Sequence, residues 1–434
     1  MPLRLSTFSR LASVALSLFL GLSITGRGQS RVTVRETGGQ FQLLLNGRPF
    51  FIKGAGGTGH LQELKALGGN SIRTWGIESM TEKVDGKPLA ARARELGLMI
   101  TCGIWLQQQR DGFDYDNRQQ VQAQRDTVLA AVRRFKDSPA LLTWGLGNEM
   151  EGPTSDGSDI RVWKEVNLLA GIVKKEDPDH PVMTVIAGAG PIKIANLIKY
   201  CPNIDILGVN AYGSAPGLGP RLAGMGWKRP FVLTEFGPRG QWESPKTPWG
   251  APVEPTSNAK ADHYFTSQTN VTTTAGNTCM GSYAFLWGNK QEATSTWFGM
   301  FLADGERLPQ ADAMSKAWTG HWPAVRCPEI TALASAVDQK TVAAGSPQTA
   351  TVTAVDPGQR PLQYEWSVVD EQAAIGAGGD AEAVPPSHPE CLAASQGASL
   401  HFTAPNQPGA YRLFLVVRNG AGCATTGNIP FQVQ

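Results

Sequence analysis

The chain has 434 residues, 41% of them apolar, and a formal net charge of +2 at pH 7. Its length asks for two domains rather than one, and its apolar content supports buried cores rather than wholesale disorder. The near-neutral charge offers no electrostatic footing for nucleic acid or an anionic membrane.

Residues 1–28 read as a signal peptide. Arg4 and Arg10 precede the apolar "LASVALSLFLGLSI", and the small residues Gly26 and Gly28 precede a cut before Gln29. The apolar segment is short for a membrane span; the alternative is an uncleaved anchor. The expectation is a secreted, periplasmic or cell-surface protein with no integral membrane segment after cleavage. Export permits disulfides, but the six cysteines match no zinc spacing. Cys391 and Cys423 lie in the C-terminal part and are a candidate pair. Cys102 and Cys279 sit in apolar runs and read as buried thiols.

After the leader, "VTVRETGGQFQLLLNGRPF" turns at Gly38-Gly39 and Asn46-Gly47, a hairpin signal. Eight short apolar runs follow: "PFFIKGAGG", "NSIRTWG", "LMITCGIWL", "LLTWGLGNE", "PVMTVIAG", "IDILGVNAY", "PFVLTEFG" and "MGSYAFLWG". Helical patterns lie between most of them, from "HLQELKALG" to "PIKIANLIKY", and "ADAMSKAWTGHW" reads as a closing helix. Alternating strand and helix predicts a parallel sheet, and eight such units over residues 49–288 fit a closed (β/α)₈ TIM barrel. The rival, an open doubly wound sheet, would carry a G-x-G-x-x-G after its first strand, and "GAGGTG" is only a loose glycine cluster.

Near Cys327-Pro328 the composition changes. Eleven of the twelve tryptophans precede this point. Beyond it, "PQTATVTAVD", "LQYEWSVVD", "ASLHFTAP", "GAYRLFLVVRN" and "IPFQVQ" predict an all-β sandwich. The expected domains are therefore a barrel with its hairpin over 29–326 and a β-sandwich over 327–434.

In such a barrel, polar residues at the C-terminal ends of strands face the active-site mouth. Strand two ends on Arg73 and Trp75, strand three on Trp105 and Gln107, and strand four on Asn148 and Glu149. Strand six ends on Asn210 and Tyr212, strand seven on Glu235, and strand eight on Trp287. Glu149 and Glu235 lie on strands across the mouth from one another. Two facing carboxylates among tryptophans suit glycosidic-bond hydrolysis, one as proton donor and the other as nucleophile or activator of water. The tryptophans offer faces on which sugar rings stack.

"WGLGNE" and "VLTEFG" resemble the retaining glycoside hydrolases of clan A. "NSIRTWG", "DILGVNAY" and "AFLWG" are most similar to the β-galactosidase, β-mannosidase and β-glucuronidase family, over roughly residues 42–320. The resemblance implies Glu149 as acid/base, Glu235 as nucleophile, and Asn148 on the sugar 2-hydroxyl. It also implies Tyr212 and Arg73 holding Glu235 ionised, and Trp287 flooring the subsite where the bond breaks. Glu235 is then the expected cause of a raised Glu149 pKa. "PLQYEWSV" and "PGAYRLFLVV" resemble immunoglobulin-like domains of the polycystic-kidney-disease type. The chain departs from the hydrolase family in having only a short hairpin before the barrel and a sandwich after it.

Each assignment has a plainer alternative. Arg73 could pair with some other carboxylate, Tyr212 could be a rim tyrosine, and Trp75 and Trp105 could be core. Asp111, Asp114 and Asp116 read as a solvated loop, since they lack calcium-loop spacing. Glu78, Glu243 and Glu292 fall in loops where they could reach substrate hydroxyls, and His60 reads as a helix cap. No P-loop, zinc site or Ser-His-Asp elbow is present, so neither metal nor cofactor is expected. The leading expectation is a secreted retaining β-glycosidase acting on a β-linked oligo- or polysaccharide. The rivals are a transglycosylase using the same glutamates and a non-catalytic carbohydrate-binding surface protein.

Overall fold

Paired left-handed residues make the first turns. Gly38 and Gly39 (φ 59 and 78) join β1 (Val32–Thr37) to β2 (Gln40–Leu45), and Asn46 and Gly47 (φ 51 and 78) join β2 to β3 (Arg48–Pro49). Two successive positive φ values match the twist of a hairpin and suit glycine and asparagine. The structure, a computed structural model, describes residues 29–151, 155–274, 278–372, 374–376, 379–392 and 397–434. The signal-peptide expectation therefore lies outside the described residues.

The chain then enters β4 (Ile52–Gly56), α1 (Leu61–Ala66) and β5 (Ser71–Arg73). A two-stranded ribbon, β6 (Lys83–Val84) with β7 (Lys87–Pro88), precedes α2 (Leu89–Leu96) and β8 (Met99–Ile104). Next come α3 (Arg118–Phe135), β9 (Leu141–Leu146), α4 (Ile160–Glu176), β10 (Val182–Ala187) and α5 (Pro191–Tyr200). The remainder is β11 (Ile206–Asn210), α6 (Leu218–Gly224), β12 (Phe231–Phe236), α7 (Ser257–Thr273), β13 (Cys279–Ala284) and α8 (Pro309–Thr319). Strands β4, β5 and β8 to β13 pair in parallel and close on themselves, with β13 beside β4. This is a TIM barrel.

The barrel strands are buried because helices cover their outer face and side chains fill the lumen. At one end, Val32 and Leu43 of the hairpin pack on Ile52, Met99, Leu142 and Ile206, which stand at the starts of their strands. The N-terminal end is thus plugged with apolar side chains, and the C-terminal end remains for chemistry. The lumen also holds a polar layer. Tyr283 OH lies 2.9 Å from Ser71 Oγ and 2.5 Å from Thr101 Oγ1, which lies 2.8 Å from Thr143 Oγ1. These buried hydroxyls satisfy one another, so the layer is rigid rather than costly.

Beyond α8 lie β14 (Glu329–Ser335), β15 (Thr341–Val342), β16 (Pro347–Val355), β17 (Gln363–Asp370), β18 (Ser399–Thr403), β19 (Gly409–Arg418) and β20 (Ala424–Val433). They form two sheets, β14-β16-β18 and β15-β20-β19-β17, around Trp366, Phe402, Leu413, Leu415 and Phe431. Tyr411 OH donates back to the Gln407 carbonyl at 2.9 Å, tying the entry of β19 to the turn before it.

The sandwich docks on the barrel through polar contacts. Arg307 N donates to the Gly422 carbonyl at 3.0 Å, and Ala424 N to the Arg307 carbonyl at 2.9 Å. Cys423 thereby meets Cys327 thiol to thiol, while Cys391 belongs to the sandwich core. The Cys391–Cys423 pairing is corrected: the last turn of the sandwich folds back onto the segment leaving α8. Among the described residues no helix is long and apolar enough to cross a membrane.

Candidate active site

The end of β9 carries a backbone irregularity. Gly147 (φ 69) and Glu149 (φ 54) are both left-handed, and Glu149 N donates to the Val185 carbonyl at 3.0 Å. A glutamate in this region is strained, and such strain concentrates at functional sites. The kink presents Asn148 and Glu149 to the mouth of the barrel.

Arg73 organises the floor. It is 3% exposed, and its Nη1 donates to Glu235 Oε1 at 2.8 Å and to the Thr234 carbonyl at 3.0 Å. Its Nη2 donates to Asn148 Oδ1 at 2.7 Å. Trp75 Nε1 also donates to Glu235 Oε1 (2.9 Å), and Tyr212 OH donates to Glu235 Oε2 (2.9 Å). Glu235 thus receives three donors, one of them a cation, which fixes its carboxylate in orientation. Burial and then the neighbouring Glu235 and Glu149 push the Tyr212 phenol well above its ordinary value, so it stays a donor.

Glu149 is held differently. Among the described residues its one side-chain donor is Asn210 Nδ2 at 2.8 Å, and the same nitrogen reaches Asn148 Oδ1 at 3.2 Å. Thr234 Oγ1 donates to Asn210 Oδ1 at 2.8 Å, which sets the amide's orientation. The Glu149 carboxyl is raised to about 7, first by burial and second by Glu235. Burial therefore outweighs the partner carboxylate that the sequence named as the cause.

These side chains open on a cavity of about 880 Å³. Trp75, Trp105, Asn148, Glu149, Asn210, Tyr212 and Glu235 line it, with Arg73 beneath. Every residue expected at the site is brought together except Trp287. That indole is 1% exposed, donates Nε1 to the His60 carbonyl at 3.1 Å, and packs on Phe301 and on Trp318 of α8. The chain beyond β13 turns Phe285 and Leu286 toward the cavity and Trp287 into the helical layer. His60 is corrected as well. It stands at the N-cap position of α1, but its side chain makes no cap bond and stacks on Phe301 with centroids 4.0 Å apart.

Glu243 and Glu292 reach the cavity, and Glu78 is not among its lining residues. Glu243 Oε2 accepts from Gly213 N at 2.7 Å and Gly240 N at 3.1 Å, bracing two loops of the mouth. Asp116 pairs with Arg161, and Asp114 Oδ1 accepts from Asp116 N at 2.9 Å. No group of His, Cys, Asp and Glu among the described residues could hold a metal ion.

Sequence reasoning missed Trp242, which is 56% exposed over the cavity with its ring 5.4 Å from that of Tyr212. A tryptophan in the loop "GPRGQWE", directly after strand seven, was the available signal. It also missed the sandwich. Gly376, Gly379 and Asp380 lie on the cavity wall, and no local pattern marks a contact made across a domain boundary.

No protein-family model matches the chain, and no curated protein does. Solved structures do. A β-glucuronidase 2 of Bacteroides uniformis, covalently bound to cyclophellitol-6-carboxylate aziridine, is similar at 15% identity and a TM-score of 0.50, over 93% of this chain and 48% of that one. A β-D-glucuronidase of Dictyoglomus thermophilum is similar at 17% identity and 0.49, over 67% and 54%. A β-glucuronidase of Ruminococcus gnavus is similar at 16% identity and 0.48, over 67% and 53%. The chain spans about half the length of these structures. The first likeness agrees with the barrel and the sheets that follow it.

Proposed function

We propose that the protein is a secreted retaining β-glycosidase that cleaves a β-linked glycan by double displacement. The observation that carries this is the unequal treatment of two glutamates in one cavity. Glu235 receives three donors and faces the cavity as a fixed carboxylate. Glu149 is buried with its carboxyl raised to about 7, so it holds a proton near neutrality. Two carboxyls held this differently, one protonated by burial and one fixed by three donors, can divide acid and nucleophile between them. The first likeness, to a structure named β-glucuronidase, supports the same reaction class.

In the first half-reaction, Glu149 gives its proton to the glycosidic oxygen as a Glu235 oxygen attacks the anomeric carbon. The bond to the leaving oxygen breaks, and a glycosyl ester forms on Glu235. In the second, Glu149 takes a proton from water, whose oxygen attacks the same carbon and releases Glu235. Asn148, held by Arg73 and Asn210, is the hydrogen-bonding partner for the sugar 2-hydroxyl. Trp75, Trp105 and Trp242 supply apolar faces for sugar rings. Export rests on the basic and apolar pattern of residues 1–28. The immunoglobulin-like reading of residues 327–434 is supported by the two-sheet order and by the Tyr411 bond to the turn before its strand.

The test is chemical rescue. Glu235→Ala loses turnover on an activated aryl β-glycoside, and added azide restores it with inversion at the anomeric carbon. Full activity in Glu235→Ala without azide sinks the assignment.

A further inference from the structure

The sandwich reaches into the cavity and ties down its cations. Lys290, in the loop after β13, donates Nζ to Glu292 Oε2 at 2.7 Å and to the Gly379 carbonyl of the sandwich at 2.8 Å. Arg110, in the loop after β8, lies 3.6 Å from Asp380 and 3.8 Å from Asp111. Glu382 holds this part of the sandwich in place. Its Oε2 accepts from Ala293 N at 2.8 Å and its Oε1 from Gly376 N at 2.8 Å.

The remaining charge on the wall is acidic. Among the described residues, Asp111, Glu235, Glu243, Glu292 and Asp380 line the cavity with Glu149, against the cations Arg110 and Lys290. Both cations already face carboxylates. Arg73 lies beneath the floor, forked between Glu235 and Asn148. Glu292 lines the same cavity as Tyr212 and Glu235. A sugar carboxylate entering here would have to displace an existing ion pair and approach several like charges, which disfavours its binding.

We infer that the cavity is selective for an uncharged glycan, and that the sandwich enforces this by engaging Arg110 through Asp380 and Lys290 through the Gly379 carbonyl, in a segment that Glu382 anchors to the barrel. The C-terminal domain is then part of the specificity apparatus rather than a spacer. This rests on the glycosidase reading, and it separates the chain from a β-glucuronidase in substrate while keeping the barrel. Discrimination comes from built-in repulsion as much as from attraction.

The test uses the full mature chain and four 4-nitrophenyl β-glycosides with one leaving group: glucoside, galactoside, mannoside and glucuronide. At least one neutral glycoside is turned over, with kcat/KM at least ~100-fold above that of the glucuronide. Asp380→Ala removes a side chain that is 62% exposed, so the fold tolerates its loss. It narrows the gap by about tenfold through a lower KM for the glucuronide, with the thermal midpoint unchanged. Glu382→Ala narrows it in the same direction by loosening the segment whose Gly379 carbonyl holds Lys290, which then keeps only Glu292. A purely structural role would lower stability and all four activities together. A glucuronide faster than every neutral glycoside overturns the inference, as does an unchanged ratio in both variants. No turnover of any of the four, with no reducing ends released from a neutral polymeric β-glucan either, refutes the glycosidase reading itself, and this inference with it.

Discussion

Arg73 Nη1 lies 2.8 Å from Glu235 Oε1, with both side chains buried. Because Nη2 of the same guanidinium reaches Asn148, one residue at the end of β5 links the ends of β9 and β12. A planar fork can serve two acceptors at fixed angles, which a lysine ammonium cannot.

Removing that fork leaves Glu235 buried without its cation. Arg73→Ala is expected to destabilise the protein by ~3–5 kcal/mol and to lower kcat/KM by about 100-fold or more. Arg73→Lys keeps the charge but not both contacts and falls in between. Urea midpoints and steady-state kinetics check this. Activity within twofold of the parent in Arg73→Ala would show that Glu235 is oriented by Trp75 and Tyr212 alone.

The raised Glu149 pKa has a consequence for stability. Its value moves from 4.5 to about 7 on folding, so the folded protein holds this proton more tightly than the unfolded chain. The resulting stabilisation is full below pH 4.5 and is lost as pH rises through about 7. Glu149→Gln cannot ionise there, so its stability advantage over the parent grows with pH by up to ~3 kcal/mol. Chemical denaturation at pH 5 and pH 8 reads the difference directly. An advantage that does not change with pH contradicts the burial of this carboxyl. In the parent, kcat/KM falls above about pH 7 as the acid loses its proton.

Two tryptophans separate structure from binding. Trp287→Ala empties a site packed against Phe301 and Trp318, and is expected to cost ~3–5 kcal/mol of stability. Trp242→Ala removes an exposed ring over the cavity and is expected to raise KM several-fold with the thermal midpoint unchanged. Thermal melts beside kinetics on one aryl glycoside distinguish them. The reverse pattern would restore Trp287 to the subsite.

The junction of the two domains depends on a buried charge. Lys260 Nζ lies 2.6 Å from Glu254 Oε1 with both side chains fully buried, and Glu254 Oε2 accepts from Asn428 of β20 at 2.6 Å. Lys260→Met leaves Glu254 without its ion-pair partner and is expected to cost ~3–5 kcal/mol. Replacing the pair together, as Lys260→Met with Glu254→Gln, recovers part of the loss. A double-mutant cycle measures the coupling, and simple additivity would deny it.

Local pattern alone identified much of this protein. Short apolar runs alternating with amphipathic segments specify barrel strands, because a parallel sheet buries both faces. The position of Glu149 and Glu235 at strand ends then directs them to the mouth. Helix α7 escaped the same reasoning because its buried face carries Ser257, Lys260, Ser267 and Gln268, so no apolar stripe marks it. Helix α6 was too short to show a period. Trp287 was assigned by its neighbours in sequence, but side-chain direction beyond a strand depends on how the chain leaves it. The tertiary structure alone decided that Arg73 bridges two strands, that burial rather than Glu235 dominates the Glu149 carboxyl, and that the sandwich supplies Asp380 to the cavity wall. Each of these depends on groups far apart in sequence coming together in space, and periodicity carries no information about such meetings.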